Sequence, residues 1–366
     1  MTYKETLFFI GKCLTISHEK ENLNIVSKLI KNNDVDWDAV VKVSTQHYVF
    51  PALYCNLKRA ELLSHLPQDL VDYMKHITDL NRDRNLQIIA QAKEINELLT
   101  KNDITPIFLK GTGFLLQDFY EDIAERMVGD IDFLVSKKDF QKTISILEND
   151  GYSHVIKSKY HYPSYKHHPR IQKEGKIAAV EIHHEMTIDN YTKEFNYNSV
   201  IENSVTYKSY KFLGLSDQLC LVVIAKQIND SGQYFKSMSL RNSYDVFVLS
   251  KKINPLLSIK IYPILFPALN DFLAFSNKVF HSDSINFETN SRSKKNLAQF
   301  EFLLDNQQQR AQFYKKLSRK IFIKKRFEFL LKSIIKKDYR YWLFKRITDP
   351  QWYREKMIQL GIKSGS

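Results

Sequence analysis

Two aspartates, Asp130 and Asp132, are separated by one isoleucine and have the spacing of a metal-binding pair. They follow Gly129 and precede the apolar run Phe-Leu-Val, so they begin a predicted buried strand over 130–135. Residues two apart on a strand point to the same side, so both carboxylates should converge on one face. A cation between them would relieve their repulsion, and Mg²⁺ prefers such oxygen ligands. The alternative is an ordinary strand edge with solvated acids.

Glu181 offers a third carboxylate on another predicted strand, over 178–184. Apolar residues alternate with Glu181 and His183, so these two polar side chains share one face. If this strand lies beside that of Asp130, Glu181 completes a three-acid metal site or accepts the proton of an attacking hydroxyl. His183 would then contact phosphate or substrate. The alternative is a surface glutamate on an amphipathic strand.

A short glycine-containing loop, Lys110-Gly111-Thr112, lies between a predicted strand and a predicted helix at 114–120. Glycine lets backbone amides approach a phosphate, a helix start favours anions, and lysine adds a point charge. The spacing is not that of a Walker A loop. Arg126 is close enough to Asp130 in the chain to reach phosphate oxygens, although a loop arginine is commonly solvated.

The segment 161–170 clusters three histidines, His161, His167 and His168, with tyrosines and cations. A zinc site would need four well-placed ligands, and cysteine is absent from the segment. One interpretation is a loop that faces the substrate through His167, because the segment runs into the strand of Glu181. Plain surface polarity is the simpler interpretation.

A small mixed sheet would position these residues. The predicted order of elements over residues 101–205, strand–helix–strand–helix–strand–strand, indicates such a sheet. The flanking regions, 1–100 and 206–366, should be helical, so the fold class is α+β. Within the core, Ser136 should cap a helix that Gly151 ends.

Two further local predictions concern the region after the core. Ser216 should cap a helix, and the polar stretch 283–293 with Lys294 and Lys295 has the composition of an exposed loop.

The composition is that of a globular protein with few tight turns. Only 10 glycines and 9 prolines occur in 366 residues, which disfavours an all-β protein. The three cysteines show no disulfide or metal-ligand spacing and should be buried in a reducing compartment. We find no signal peptide and no run of the ~20 apolar residues that a spanning helix needs, so we expect a cytoplasmic protein.

The formal net charge of +13 is concentrated in one segment. Between residues 315 and 346, thirteen lysines and arginines face two acids, a local net charge of +11, and aromatic residues are interleaved with them. Contact with RNA or DNA, or with an anionic membrane surface, would use such a segment. The alternative is a pair of helices with aromatics inside and lysines solvated.

The chain resembles the nucleotidyltransferase superfamily in the order of its motifs. It is most similar to a poorly characterised bacterial branch with the pattern LKG…R…GDIDLLV…GY…E-hydrophobic-H, and the match extends over residues 106–185. Downstream, Leu-Arg at 240–241 and Asp245 match a recurrent pattern. Two departures are Lys-Gly-Thr at 110–112 in place of Gly-Ser, and Ala-Lys-Gln at 225–227 where histidines are frequent.

The resemblance implies a nucleotidyltransferase-like fold and transfer of a nucleoside monophosphate from an NTP, with ATP as the expected donor. By position, Asp130, Asp132 and Glu181 would hold two Mg²⁺ ions, with Mn²⁺ as an alternative, and Lys110 and Gly111 would face the triphosphate. The acceptor is an unspecified hydroxyl or phosphate. A glycosyltransferase that binds a nucleotide-sugar through Asp-Ile-Asp, and a non-catalytic RNA-binding or toxin–antitoxin module, are the competing hypotheses.

Overall fold

The computed structural model describes residues 1–155 and 165–359, the side chains of 355–359 excepted. The chain forms two compact units. One contains residues 1–155 and 166–307, and the other contains the C-terminal helices. The sequence also predicts a strand over 152–156, and its last residue and the histidine His161 lie outside the described residues.

The first hundred residues form helices, as predicted. Asp36 begins the third helix, because its side chain accepts a hydrogen bond from the Ala39 amide at 3.0 Å. Pro51 lies in the first turn of the fourth helix, and Pro67 precedes the fifth. The helices are α1 (Tyr3–Cys13), α2 (Lys20–Lys31), α3 (Trp37–Gln46), α4 (Phe50–Arg59) and α5 (Gln68–Thr100).

A mixed sheet of seven strands follows in the described part of the chain, in the order β3-β4-β5-β2-β1-β7-β6. The pairs β2–β5 and β1–β7 are parallel and the other pairs are antiparallel, so the fold is α+β. The short β4 and the β6–β7 hairpin are not predicted from the sequence. The strands are β1 (Ile107–Phe108), β2 (Asp130–Leu134), β3 (Ser153–His154), β4 (Ile171–Gln172), β5 (Ala179–His183), β6 (Val205–Tyr207) and β7 (Tyr210–Phe212).

Helices connect and cover these strands. Those between residues 110 and 201 are α6 (Lys110–Leu116), α7 (Phe140–Asn149) and α8 (Tyr197–Ile201). The later ones in the first unit are α9 (Leu215–Ile224), which continues into a π-helical turn, α10 (Gly232–Phe235), α11 (Leu240–Ser250), α12 (Pro255–Lys260), α13 (Phe266–Phe280) and α14 (Ser291–Asp305). The C-terminal unit is built from α15 (Gln307–Ile335), α16 (Lys337–Ile347) and α17 (Pro350–Gln359).

Several predicted boundaries are wrong because a polar side chain makes a different contact. Ser136 does not cap α7. Its hydroxyl accepts from the Asp139 amide at 3.1 Å, in a turn that precedes the helix. Ser216 lies inside α9, and its hydroxyl is 3.0 Å from that of Ser258. Gly151, with φ of +95°, does end α7 as predicted.

Two basic or glycine-rich stretches expected in loops are helical. Lys294 and Lys295 lie in α14, which Asn290 caps by accepting from the Ser293 amide at 2.9 Å. The Lys-Gly-Thr stretch at 110–112 forms the first turn of α6.

Two hydrophobic cores fill the first unit, and α5 contributes to both. Met74 belongs to the core of the helical regions, whereas Ile88 and Ile95 belong to the core beside the sheet. The long α5 therefore joins the N-terminal helices to the sheet that carries the candidate site. Among the described residues, no helix combines the length and apolar character that crossing a bilayer requires.

Candidate active site

The strands of the two acidic motifs are neighbours. β2 and β5 run parallel, and their register pairs Asp132 with Glu181 and Asp130 with Ala179. The alternate residues of both strands are apolar and completely buried in the core beside the sheet. Asp132 and Glu181 therefore project together from the opposite face, where both are 8% exposed.

His183 joins these two acids. Its Nε2 lies 2.9 Å from Asp132 Oδ1 and 3.4 Å from Glu181 Oε2. One ligand atom of each of the three residues lies within 4.8 Å of the others, which is close enough to hold a metal ion after small side-chain rotations. His183 is 1% exposed and lies with Asp132 and Glu181 in a buried group of side chains, the acidic cluster.

Two cations balance the carboxylates. Lys110 Nζ lies 2.6 Å from Asp132 Oδ1 and 4.0 Å from Glu181 Oε2. Arg170 bridges the other two oxygens, with Nη2 2.8 Å from Asp130 Oδ2 and Nε 2.8 Å from Glu181 Oε1. Sequence reasoning missed this role of Arg170, and the only signal was a cation two residues after the histidine pair.

The protonation states follow from burial and these charges. Burial would lower the pKa of the Lys110 ammonium, but Asp132 and Glu181 raise it above its ordinary value. Burial would raise the pKa of Asp132, yet the Lys110 charge and the His183 hydrogen bond hold it below its usual range. The pKa of Glu181 is lowered against burial in the same way, while burial raises that of Asp130. Asp132 and Glu181 are therefore ionised at neutral pH.

His167 lies at the edge of the acidic cluster. Its Nε2 is 4.0 Å from Glu181 Oε2, and its backbone forms an isolated bridge with His183. Burial lowers the pKa of His167 to about 4, so its imidazole is neutral at physiological pH. Burial and the nearby charge of Lys110 lower the pKa of Lys166 to about 8. A neutral imidazole thus lies next to the carboxylates, and it follows in the chain a lysine whose pKa is lowered.

The Lys-Gly-Thr turn is held tightly against the sheet. Lys110 has a φ of +50°, a left-handed conformation that costs a non-glycine residue free energy and is frequent at functional sites. The Thr112 hydroxyl donates to Asp130 O at 3.1 Å, and this side chain is buried. A Cβ on Gly111 would lie 2.8 Å from Val128 Cγ2. Gly111 and Thr112, both expected to bind nucleotide, lie in the turn that carries Lys110, with Gly111 close to Val128 and Thr112 bonded to Asp130.

Arg126, also expected to bind phosphate, has a different partner. Its Nε and Nη2 donate to the two oxygens of Asp245 at 2.8 and 2.9 Å, and Nη1 donates to Met127 O. Tyr120 also donates to Asp245, and Arg126 is 6% exposed. The guanidinium therefore anchors the segment before β2 to α11. The presence of Asp245 in the recurrent downstream pattern was the signal for this pair.

Comparison with known proteins identifies one matching family. No curated protein and no solved structure matches the chain. The sequence model of a family described as uncharacterised nucleotidyltransferase matches residues 33–257, which is more than half of the chain and includes the whole acidic cluster. With its paired carboxylates on neighbouring strands, this chain belongs to the uncharacterised nucleotidyltransferase family.

Proposed function

We propose that the protein transfers a nucleoside monophosphate from an NTP, with ATP as the expected donor, to a hydroxyl or phosphate acceptor. An acceptor oxygen attacks the α-phosphorus, the bond to the bridging oxygen of the β-phosphate breaks, and pyrophosphate leaves. The observation that carries the proposal is the pairing of Asp132 and Glu181 on parallel strands beside Lys110. Membership in the family supports nucleotidyl transfer in general.

The donor set of the cluster fits a divalent cation. Asp132 and Glu181 are ionised, buried and adjacent, and their mutual repulsion falls when a cation binds between them. Carboxylate oxygens suit Mg²⁺, and the imidazole of His183 also suits Mn²⁺. We assign Asp130, Asp132 and Glu181 as the metal ligands. Bound there, two ions would neutralise the triphosphate and lower the pKa of the attacking group.

The two cations are suited to bind phosphate. Lys110 and Arg170 bond the carboxylates in the metal-free protein, where they supply the compensating positive charge. The Arg170 side chain is 56% exposed, so its guanidinium can turn toward a phosphate that enters the site. A bidentate guanidinium and a lysine point charge together match a triphosphate.

Glu181 and His167 are the candidates for handling the acceptor. The Glu181 carboxylate is ionised and its lowered pKa makes it a weak base, so it acts on the attacking hydroxyl through the metal that it would hold, and the proton leaves to solvent. His167 is neutral and lies beside Glu181, so its imidazole is able to orient that hydroxyl by a hydrogen bond.

The test is incubation of the full chain with α-labelled ATP, Mg²⁺ and cell extract, followed by detection of labelled product and pyrophosphate. We expect Asp132→Asn to abolish labelling without changing the fold, as checked by circular dichroism. Asp118→Asn is the matched control, because Asp118 is half-exposed and pairs with Lys208. Full labelling by Asp132→Asn would reject the proposal.

The same assay separates the competing hypotheses. A glycosyltransferase given a nucleotide-sugar releases a nucleoside diphosphate, whereas nucleotidyl transfer releases pyrophosphate. A non-catalytic RNA-binding module would show salt-sensitive RNA binding that survives loss of Asp132 and would label no product.

We also propose that the basic C-terminal segment contacts an anionic membrane surface. Its cations are accompanied by exposed aliphatic side chains, with Ile334 71% and Ile335 81% exposed. RNA contacts use cations and aromatic stacking and gain little from exposed isoleucine. A lipid surface takes up both kinds of side chain.

A further inference from the structure

A second group of metal-ligating side chains lies outside the acidic cluster. It consists of Glu148 near the end of α7, His154 in β3 and His168 before β4. One ligand atom from each residue lies within 4.8 Å of the other two. Three separate chain segments thus bring two imidazoles and a carboxylate together, and the proposed nucleotidyl transfer uses none of them.

The backbone holds both histidines in place. His154 pairs in register with Ile171 across β3 and β4. The amide of His168 donates to Ile182 O at 2.8 Å, which ties it to β5. The two imidazole centroids are 5.0 Å apart, and the ring of His168 packs edge-on against Phe140 of α7. The sheet and α7 therefore position both rings before any ion binds.

This cluster is separate from the acidic one because adjacent residues point in different directions. The ring of His167 lies 4.9 Å from that of His183, on the side of the acids. The ring of His168 faces Phe140 and His154 on the side of α7. An ion bound by His168 would thus lie on the other side of this segment from Asp132 and Glu181.

The donor set indicates the ion. Two imidazole nitrogens with one carboxylate oxygen form a ligand set typical of Zn²⁺, with water in the fourth position. Zinc–nitrogen distances of about 2.0–2.1 Å place ligand atoms roughly 3.3 Å apart around a tetrahedral ion. Glu148 is exposed, and both histidines are half-buried, so side-chain rotations are able to close the remaining gap. Mg²⁺ favours oxygen ligands and octahedral geometry, and this site does not suit it.

We propose that Glu148, His154 and His168 form a zinc site that fastens the end of α7 to β3 and to the segment before β4. The site has a consequence for the acidic cluster, because Arg170 follows His168 by two residues and bonds both Asp130 and Glu181. Zinc at this position would restrain the segment that carries Arg170. The assignment does not depend on the nucleotidyl transfer proposed above.

Cobalt absorption tests the site, since Co²⁺ replaces Zn²⁺ and shows intense visible bands only in tetrahedral or five-coordinate sites. The full chain is stripped with a chelator and titrated with Co²⁺ and then Zn²⁺. One set of samples is the unaltered chain, and a second carries Asp132→Asn and Glu181→Gln, checked for fold by circular dichroism, so that any signal from the acidic cluster is identified as the difference between the two sets. We expect one equivalent of Co²⁺ to bind with intense bands, and Zn²⁺ to displace it.

Variants of the three ligands decide the outcome. His154→Gln or His168→Gln should remove the bands, and Glu148→Gln, an exposed position that leaves the core intact, should weaken Co²⁺ binding roughly tenfold or more. His184→Gln is the matched control, because His184 packs on the same Phe140 ring at 4.5 Å yet supplies no ligand atom to the cluster. Absence of the bands in the parent, or their persistence at full affinity in Glu148→Gln and His168→Gln, would overturn the proposal.

Discussion

In the acidic cluster, the negative charge of each carboxylate is balanced by side chains in direct contact with it. Asp132 is in contact with Lys110 and His183, and Glu181 with Arg170 and His183. These partners favour the ionised carboxylates, which is why the pKa of Asp132 and that of Glu181 are both lowered in the folded protein.

The stability of the metal-free protein should fall at acid pH because of Glu181. Its pKa is lowered in the folded state, so the unfolded chain binds protons more readily, and the stabilisation present above pH 4.5 is lost as the pH falls below that. We expect a loss on the order of 1–2 kcal/mol between pH 7 and pH 3, since one carboxyl contributes at most about 1.4 kcal/mol per pH unit, and Asp130, whose pKa is raised, reduces the loss somewhat. Urea unfolding with a chelator present measures it.

The variant Glu181→Gln shows whether Glu181 causes this pH dependence. In this variant, the free energy of unfolding should fall less steeply as the pH is lowered. The exposed Glu202→Gln should leave that slope as in the parent protein. An unchanged slope in Glu181→Gln would show that the folded protein does not favour the ionised carboxylate.

At the scale of elements, buried ion pairs join helices that are distant in the chain. Asp245 of α11 binds Arg126 before β2. Arg59 of α4 binds Glu125 at 2.6 Å, and Glu125 in turn accepts from Tyr244 of α11 at 2.5 Å. The short segment between α6 and β2 is thus held from both helical regions, which fixes the start of the strand that carries the aspartates.

Asp245→Asn should destabilise the protein by about 3–5 kcal/mol, because it leaves the Arg126 guanidinium buried without a counter-charge. Asp79→Asn, which loses exposed pairs with Lys75 and Arg82, should cost no more than about 1 kcal/mol. Midpoints of denaturant unfolding at neutral pH give both values. Equal losses in the two variants would mean that the Arg126 pair does not tie the elements together.

At the scale of the whole molecule, the acidic cluster and the strongest basic segment lie in different parts of the sequence. The acidic cluster lies within residues 33–257, which match the family, whereas the strongest basic segment, 315–346, lies beyond them. The proposed cation site and the proposed anion-binding segment therefore lie in different parts of the sequence.

We expect the full chain to sediment with vesicles that contain anionic phospholipid at low salt, and not with purely phosphatidylcholine vesicles. Ile334→Asp with Ile335→Asp should strongly reduce the binding, because both side chains are exposed beside the basic residues. Leu257→Asp is the control, since Leu257 is 64% exposed on α12, outside the basic segment. RNA binding without vesicle binding would contradict this prediction and favour a nucleic-acid partner.

The sequence by itself determined what depends on local periodicity. Alternation along two short strands was enough to put Glu181 and His183 on one face and to make Asp130 and Asp132 a pair, since side chains of a strand alternate with a period of two. Residues 1–100 were likewise predicted to be helical. These features need only the geometry of one element.

The tertiary structure alone decided which residues become partners across long distances in the chain. Local patterns do not reveal that Arg170 bridges Asp130 and Glu181, or that Arg126 binds Asp245. The same holds for Glu148, His154 and His168, which come from three segments. Such contacts depend on strand order and helix packing. The partners of a charged side chain are decided by the neighbouring helices and strands as well as by the element that carries it.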